Sequence, residues 1–220
     1  MVSVRGYVTA GTDNARTRFP QLIYLQDDTG GIAVTDFRTE GIEIGTALEL
    51  IGERCTLAGN PALKLVQYRE TGEKAYRFDP DNSRHADAMD YAAHGGELLQ
   101  VEGTVKSLTK TADGKGLTRL TLKDSRGDLA EILIEPYILS GSTGKNDLAL
   151  EIQKGRTVRA RGILHLDGKG RPVLRVRNCD EVVYVPPNII PKTGDDVGIY
   201  VMTMVLSGGS LWMLRKRKRK

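Results

Sequence analysis

The chain has 220 residues, of which 27% are charged, 40% are hydrophobic and only 5% are aromatic. Its formal net charge is +4, from 32 lysines and arginines against 28 aspartates and glutamates, but six of these cations and two of these carboxylates lie beyond Thr193. The residues up to Thr193 therefore contain 26 charges of each sign, which excludes a globally basic nucleic-acid binder.

The first 70 residues predict a small β-barrel. Val2–Thr9 alternates apolar and polar residues, and further strands are predicted at 22–27, 32–37, 47–54 and 62–69. Turn residues such as Asp28-Thr29-Gly30-Gly31 separate them. Five short strands at this regular spacing are typical of a small closed barrel.

Residues 71–96 predict a linker with a short connecting helix. The segment before residue 84 is polar and rich in turn residues. Arg84–His94 has alanines and a methionine at helical spacing, with Ser83 as N-cap and Gly95 as the C-terminal stop.

The pattern of the first barrel repeats over residues 97–187. The segment Val101-Glu102-Gly103-Thr104-Val105 aligns with Val4-Arg5-Gly6-Tyr7-Val8. Because the strand patterns of the two halves follow the same order, each half supports the strand predictions made for the other. The strands of this half are predicted at 98–109, 117–123, 129–134, 157–166 and 173–185, with a helical segment at 147–153.

Each half has three strands, a connector and two strands, which is the order of a five-stranded Greek-key OB barrel. The two openings and the hairpins at 25–31 and 122–127 resemble OB modules of secreted Gram-positive nucleases, nucleotidases and other multidomain surface proteins. The resemblance implies an all-β fold with two tandem OB-like barrels, at 1–70 and 97–187. Barrels of this kind bind oligonucleotides, oligosaccharides or proteins, and some bind nothing.

The C-terminal segment has three parts. Residues 188–196 contain the polar motif Ile190-Pro191-Lys192-Thr193-Gly194. Residues 197–214 form an uncharged run of 18 residues, and at about 1.5 Å per residue this run predicts a transmembrane helix. Residues 215–220 are all basic, which favours a cytoplasmic C-terminus and places the preceding residues outside the cell.

The order of these three parts resembles the cell-wall sorting signal of the LPXTG class, which sortase transpeptidases recognise. The resemblance implies cleavage after Thr193, linkage of Thr193 to peptidoglycan, and a chain anchored to the cell wall on the extracellular face. Ile190 stands where the family has leucine. The alternative is a plain single-pass membrane anchor with a chance Pro-Lys-Thr-Gly sequence before it. Because residues 1–20 lack a signal-peptide pattern, we expect the C-terminal part of a longer surface protein.

In the first barrel, Arg5, Tyr7 and Tyr24 are predicted on the outward face. Aromatic rings there can stack on bases or sugars, and an arginine can bind phosphate. The alternative is that the two tyrosines pack against the neighbouring domain or only half-cover the barrel. The low aromatic content favours this alternative, because single-strand binders derive much of their affinity from stacking.

The outward positions of the second barrel are predicted to be basic and to form a phosphate-binding surface. The residues concerned are Lys123, Arg159, Arg161, Arg175 and Arg177. The alternative is a solvated β-face whose cations are balanced by Glu131, Glu135 and Asp180.

No motif in the chain predicts a catalytic residue, a metal site or a cofactor. Asp27, Asp28 and Asp124 are explained by turn chemistry, and Cys55 and Cys179 are expected to be unpaired thiols. We therefore expect an accessory binding module of a larger extracellular hydrolase, with single-stranded nucleic acid, a nucleotide-related ligand or an oligosaccharide as its partner. The chain itself is not expected to be an enzyme. The alternative is a non-binding stalk that spaces an upstream domain, such as a nuclease or nucleotidase, from the cell wall.

Overall fold

The computed structural model describes residues 1–12, 19–73 and 89–187. Residues Met1–Val185 form one compact unit, which contains both barrels. The predicted sorting motif, the predicted span 197–214 and the basic end 215–220 lie outside the described residues.

The first barrel is closed by five strands in the order β1-β2-β3-β5-β4. Its interior is filled by alternate side chains of these strands, such as Val8, Ile23 and Leu48, because successive residues of a strand point to opposite faces. The strands are β1 (Val2–Ala10), β2 (Leu22–Asp27), β3 (Gly30–Thr35), β4 (Ala47–Leu57) and β5 (Asn60–Glu70).

The second barrel is built in the same way, with one strand more. β10 pairs in parallel with β8 and antiparallel with β9, which closes the barrel, and β11 pairs with a different stretch of β9. The strands are β6 (Leu98–Lys110), β7 (Leu117–Lys123), β8 (Leu129–Leu133), β9 (Thr157–Leu166), β10 (Pro172–Arg175) and β11 (Val182–Tyr184). The single last strand predicted at 173–185 is therefore two strands, separated by a 3₁₀ turn at Cys179–Glu181.

The fold-class prediction requires correction in its helices. In the described residues the connecting helix is α1 (Tyr91–His94), whose N-cap is Asp90, while the predicted N-cap Ser83 and residues 84–88 lie outside the described residues. The helical segment predicted at 147–153 is a 3₁₀ turn at Leu148–Leu150. None of the helices in the described ranges has the length and apolar character needed to cross a membrane. Within the described residues the fold is therefore all-β, with two closed five-stranded OB-like barrels and one short helix, and no transmembrane helix is found among these residues.

The two barrels share a continuous apolar core. Leu22, Tyr24 and Ala33, which point out of the first barrel, belong to the same cluster of buried side chains as the interior of the second barrel. The backbones of Gly31 and Gly96 also meet so closely that a Cβ atom on either glycine would overlap the other residue. The tandem barrels are thus packed against each other along β2 and β3.

Candidate ligand-binding cleft

The ligand face of the first barrel is closed. In OB folds this face consists of the second and third strands with the loops that flank them. In the first barrel these strands are β2 and β3. Their outward side chains Leu22, Tyr24 and Ala33 are at most 5% exposed, while Gln26 and Thr35 at the two ends of the face are half-buried. The second barrel also supplies a backbone contact, because the Leu98 N–H donates to the side-chain oxygen of Gln26 at 2.8 Å. The second barrel thus occupies the surface that a ligand of the first barrel would need.

A buried histidine joins the two barrels at this interface. The Asn60 amide is oriented by Leu166, because its oxygen accepts from the Leu166 N–H at 2.7 Å and its nitrogen donates to the Leu166 carbonyl at 3.1 Å. The same nitrogen lies 3.1 Å from Nε2 of His165, which must therefore accept. Nδ1 of His165 then carries the proton and donates to the Tyr24 hydroxyl at 3.2 Å. Burial, assisted by Arg175, lowers the pKa of His165 to about 4, so the imidazole is neutral near pH 7.

Arg175 fills the centre of the interface. Its guanidinium donates to Glu135 at 2.7 Å, to the Tyr24 hydroxyl at 3.2 Å and to the Tyr137 hydroxyl at 3.0 Å. It also lies over the ring of Phe19, with 4.0 Å between the guanidinium carbon and the ring centroid. A cation with this many protein partners serves to hold the barrels together.

Arg177 is a second arginine that bonds to both barrels. It donates to Glu181 of its own barrel through Nε and Nη2 and to the carbonyl of Thr9 in the first barrel through Nη1. The side chain is buried, as is that of Arg175.

The prediction that Tyr24, Arg175 and Arg177 lie on exposed outward faces is therefore wrong. Strand alternation tells which side chains leave a barrel, but here the other barrel covers them. For Tyr24 the structure agrees with the alternative of packing against the neighbouring domain. For both arginines, carboxylates and carbonyl oxygens of the protein take the place that phosphates were predicted to occupy.

The other predicted ligand-binding residues do not converge on one surface. Arg5 is exposed on β1 and forms an ion pair with Glu73, while Tyr7 is half-buried on the same strand. Arg159 and Arg161 bond to neighbours on β6, namely Glu102 at 3.0 Å and Gln100 at 3.3 Å. Lys123 is exposed at the end of β7 and forms no ion pair with a described residue. Of the five predicted cations of the second barrel, two are buried, two are bonded along β6, and Lys123 has no ion-pair partner among the described residues.

The equivalent ligand face of the second barrel is open. It consists of the outward side chains of β7 and β8, all of them at least partly exposed, and we call it the open face. Its members are Arg119, Thr121, Lys123, Leu129, Glu131 and Leu133. The loop at 111–116 connects β6 to β7, and the loop at 167–171 connects β9 to β10. In OB folds the loops at these two positions flank the bound ligand.

A cleft of about 1020 Å³ lies between one end of the open face and the first barrel. Arg119, Glu131 and Leu133 line it from the open face, and the loop at 167–171 lines it from one side. The first barrel contributes the opposite wall, through residues 20–22, 35–36 and 57–58. The first barrel therefore supplies one wall of a cleft beside the open face, although the centre of its own β2–β3 face is covered.

The side chains that line the cleft carry equal numbers of positive and negative charges. A ligand would therefore be bound there by individual hydrogen bonds rather than by a net positive potential that attracts anions. The lining of the cleft contains four cations and four carboxylates. The cations are Arg119, Lys169, Arg171 and Arg175, and the carboxylates are Asp36, Glu131, Glu135 and Asp167.

The loop at 167–171 is held rigid by its first residue. Asp167 accepts from the backbone N–H groups of Lys169 at 2.9 Å and Arg171 at 3.1 Å, and from the Arg171 guanidinium at 2.7 Å. These bonds, those from Arg171 first, hold the pKa of Asp167 well below its usual range. Asp124 makes the same type of turn between β7 and β8. Within the described part of the chain, no group of three potential metal-ligating side chains occurs.

The sequence-based prediction missed Arg119, Asp167 and the pair Asn60–His165. Arg119 could have been found, because it lies on the same side of β7 as Lys123, four residues away. Asp167 had a weaker signal, since its turn resembles that of Asp124. Asn60 and His165 are 105 residues apart, and neither belongs to a motif that would pair them.

No family model matches the chain, and no curated protein matches it. Among solved structures, asparaginyl-tRNA synthetase from Pyrococcus horikoshii is similar, with 16% identity over 47% of this chain and 23% of that chain and a TM-score of 0.37. The same synthetase complexed with asparaginyl-adenylate gives 18% identity over 41% of this chain and 19% of that chain, with a TM-score of 0.32. The match thus spans less than a quarter of the synthetase chain, and similarity at this level carries no information on a shared ligand.

Proposed function

We propose that this chain is a binding module that holds single-stranded nucleic acid on the open face of the second barrel and in the adjoining cleft. The observation that carries the proposal is the contrast between the two barrels. The centre of the β2–β3 face is buried under the second barrel, whereas the β7–β8 face is partly or fully exposed along its length and flanked by two loops. This is the surface on which OB folds bind extended ligands.

Two lysines suit the backbone phosphates of such a ligand. Lys123 lies at the hairpin end of the open face, and Lys169 lies in the loop that lines the cleft. Both are exposed, and neither forms an ion pair with a described residue. Each can therefore neutralise a phosphate without first breaking a protein contact.

Between these lysines the open face offers hydrogen-bonding and apolar groups to the bases. Arg119, Thr121 and Glu131 are polar, while Leu129 is 48% exposed and Leu133 is half-buried. β7 and β8 contain no aromatic residue that could stack on a base. We therefore expect a modest affinity that depends on hydrogen bonds and a few phosphate contacts.

Filter binding of single-stranded DNA and RNA to the full chain over a salt series tests this function. The double variant Lys123→Ala/Lys169→Ala should bind roughly tenfold more weakly at low salt. The control Arg159→Ala/Arg161→Ala removes the same amount of charge from residues whose side chains are bonded along β6, and it should bind like the wild type. Absence of binding at low salt, or equal losses in both double variants, would contradict the proposal.

A second candidate function is a rigid stalk, and the shared core favours it. The contacts of Arg175 with Tyr24 and of Arg177 with Thr9, together with the continuous apolar cluster, make the two barrels one compact unit. A stalk predicts that unrelated domains of similar length can replace the barrels without loss of the parent protein's activity. Loss of activity on replacement would reject it.

We also propose, from the sequence of Ile190–Gly194 alone, that a sortase joins the chain to peptidoglycan through Thr193 on the extracellular face. These residues lie outside the described part of the chain. Incubation of the full chain with a panel of sortases and a glycine nucleophile should yield a product cleaved after Thr193. The variant Thr193→Ala should yield none, and failure of every sortase on the wild type would refute the assignment.

A further inference from the structure

Glu131 and Arg119 place hydrogen-bond acceptors and donors side by side in the cleft. On β7 and β8, Thr121 lies opposite Glu131, and Arg119 lies opposite Leu133. Nη1 of Arg119 is 3.5 Å from Oε2 of Glu131. Both side chains are about one-third exposed, at 32% and 33%, and both line the cleft.

The carboxylate is oriented by a chain of hydroxyl groups. Ser107 donates to the Thr121 hydroxyl at 2.7 Å, and Thr121 donates to Oε1 of Glu131 at 2.8 Å. These three residues lie on three adjacent strands, so the orientation of Glu131 is fixed by strand pairing as well as by Arg119. A group held in this way loses little further conformational entropy when it binds a ligand.

Both groups have hydrogen-bonding capacity to spare. A carboxylate offers about four lone-pair positions, and Glu131 uses one for Thr121 and holds a long contact to Arg119. The guanidinium of Arg119 has five N–H groups, and its other ion pair, to Asp167, is 4.0 Å long. Asp167 itself is already bonded to Arg171 at 2.7 Å, so it does not hold Arg119 firmly.

We infer that this pair selects guanine bases of the bound strand, an inference that rests on the proposed single-strand binding. The Watson–Crick edge of guanine presents two adjacent N–H donors, at N1 and N2, beside the acceptor O6. The carboxylate of Glu131 accepts from the two donors, and the guanidinium of Arg119 donates to O6.

The other bases match this pair less well. Thymine and uracil present one N–H between two carbonyl oxygens, which would face the carboxylate and repel it. Adenine and cytosine each offer one amino group beside ring acceptors, so only one bond to Glu131 remains. Leu133, opposite Arg119 in the register, supplies an apolar surface for any base, and therefore does not discriminate.

The test measures fluorescence polarisation of labelled oligothymidylates of about ten nucleotides with the full chain, at one salt concentration. Each strand carries a single central guanine, adenine, cytosine or thymine. The guanine strand should bind about tenfold more tightly than the all-thymine strand. A strand with central inosine lacks the N2 amino group and should bind with intermediate affinity.

Glu131→Gln replaces one acceptor oxygen by a donor of the same shape. It should weaken binding of the guanine strand and abolish the preference for guanine over thymine, because the amide no longer accepts from both guanine donors and no longer repels the thymine carbonyl oxygens. The control Glu102→Gln changes a carboxylate that bonds to Arg159 outside the cleft lining, and it should keep the preference. Equal affinity of the wild type for all strands would overturn the guanine inference but not the proposed function. The inosine strand tests the contact to the N2 amino group in the wild-type protein, so this result does not depend on the folding of any variant. Absence of binding to every strand overturns the proposed function.

Discussion

The Asn60 amide of the first barrel donates a hydrogen bond of 3.1 Å to Nε2 of His165 in the second barrel. Because Leu166 fixes the orientation of the amide, it can only donate at this position. The contact therefore exists only while His165 is neutral. On protonation, two N–H groups would face each other, and the new cation would lie close to Arg175.

We expect acid to loosen the contact between the barrels. Burial lowers the pKa of His165 from an ordinary 6.5 to about 4, so the unfolded chain takes up the proton first as the pH falls. The stability due to the neutral imidazole is complete above about pH 6.5 and is lost as the pH falls towards about 4. The groups that face the imidazole are Tyr24, Asn60 and Arg175. None of them is a carboxylate, so none gains or loses a proton between about pH 4 and pH 6.5.

Urea denaturation near pH 7 and near pH 5 measures this effect. The wild type should lose more stability between the two conditions than His165→Gln, in which no imidazole can be protonated. His94→Gln changes a histidine that pairs with Glu97 near the start of β6, and it should retain the full loss. A wild type and a His165→Gln variant with equal losses would show that the imidazole is not the sensitive group.

Arg175 should be the most costly arginine to replace. Arg175→Met removes the cationic partner of the half-buried Glu135 carboxylate and of the Tyr24 hydroxyl, which keep only the neutral partners Tyr137 and His165, so the free energy of unfolding should fall by about 3 kcal/mol. Arg175→Lys should also destabilise, because an ammonium group cannot reproduce the planar fork of bonds. The control Arg159→Met breaks a partly exposed pair with Glu102 and should cost about 1 kcal/mol or less. Similar urea midpoints for both Met variants would contradict the assigned role of Arg175.

The backbone contact between Gly31 and Gly96 should tolerate no side chain. A Cβ atom at Gly31 would overlap the Gly96 carbonyl, so Gly31→Ala must push the barrels apart. We expect a loss of about 2 kcal/mol, which lowers the melting temperature by roughly 5 °C for a domain of this size. Gly168→Ala is the matched control, because a Cβ atom there meets nothing within 4 Å. Unchanged melting of Gly31→Ala would mean that the barrels are less closely packed than described.

The salt dependence of binding should be shallow. Among the described residues of the open face and the cleft, Lys123 and Lys169 are the cations without an ion-pair partner, and each contributes about −0.7 to the slope of log K against log salt concentration. Filter binding should therefore give a slope of roughly −1.4, which falls towards zero in the double lysine variant. A slope several times steeper would indicate that cations outside the open face and the cleft bind the strand.

Local periodicity was sufficient to predict most of the strands, but neither the division of the segment 173–185 into two strands nor the relation between the barrels. The alternation of Val4, Gly6 and Val8 and its repeat at Val101, Gly103 and Val105 indicate two similar barrels, because side-chain alternation is a property of a single strand. The same alternation places Tyr24 outside the first barrel, yet it contains no information on which residues pack against that side chain. One of them is His165, which is 141 residues away in the chain and bonds to the Tyr24 hydroxyl.

The candidate site was predictable only in part for the same reason. Lys123 is exposed on β7 as its position in the strand predicts. Arg175 and Arg177 follow the same alternation, but they lie where the second barrel meets the first, and their partners Tyr24 and Thr9 come from distant strands. A pattern within one strand cannot distinguish a solvent-facing cation from one that bonds to another domain.

The central claim is that the second barrel binds the ligand while the first barrel has its equivalent face closed. The most direct measurement is an NMR titration of the ¹⁵N-labelled full chain with a single-stranded oligothymidylate carrying one guanine. Amide shifts should change in β7, in β8 and in the loop at 167–171, while those in the middle of β2 and β3, at Tyr24 and Ala33, stay nearly constant. Changes confined to β2 and β3, with β7 and β8 unaffected, would contradict the account.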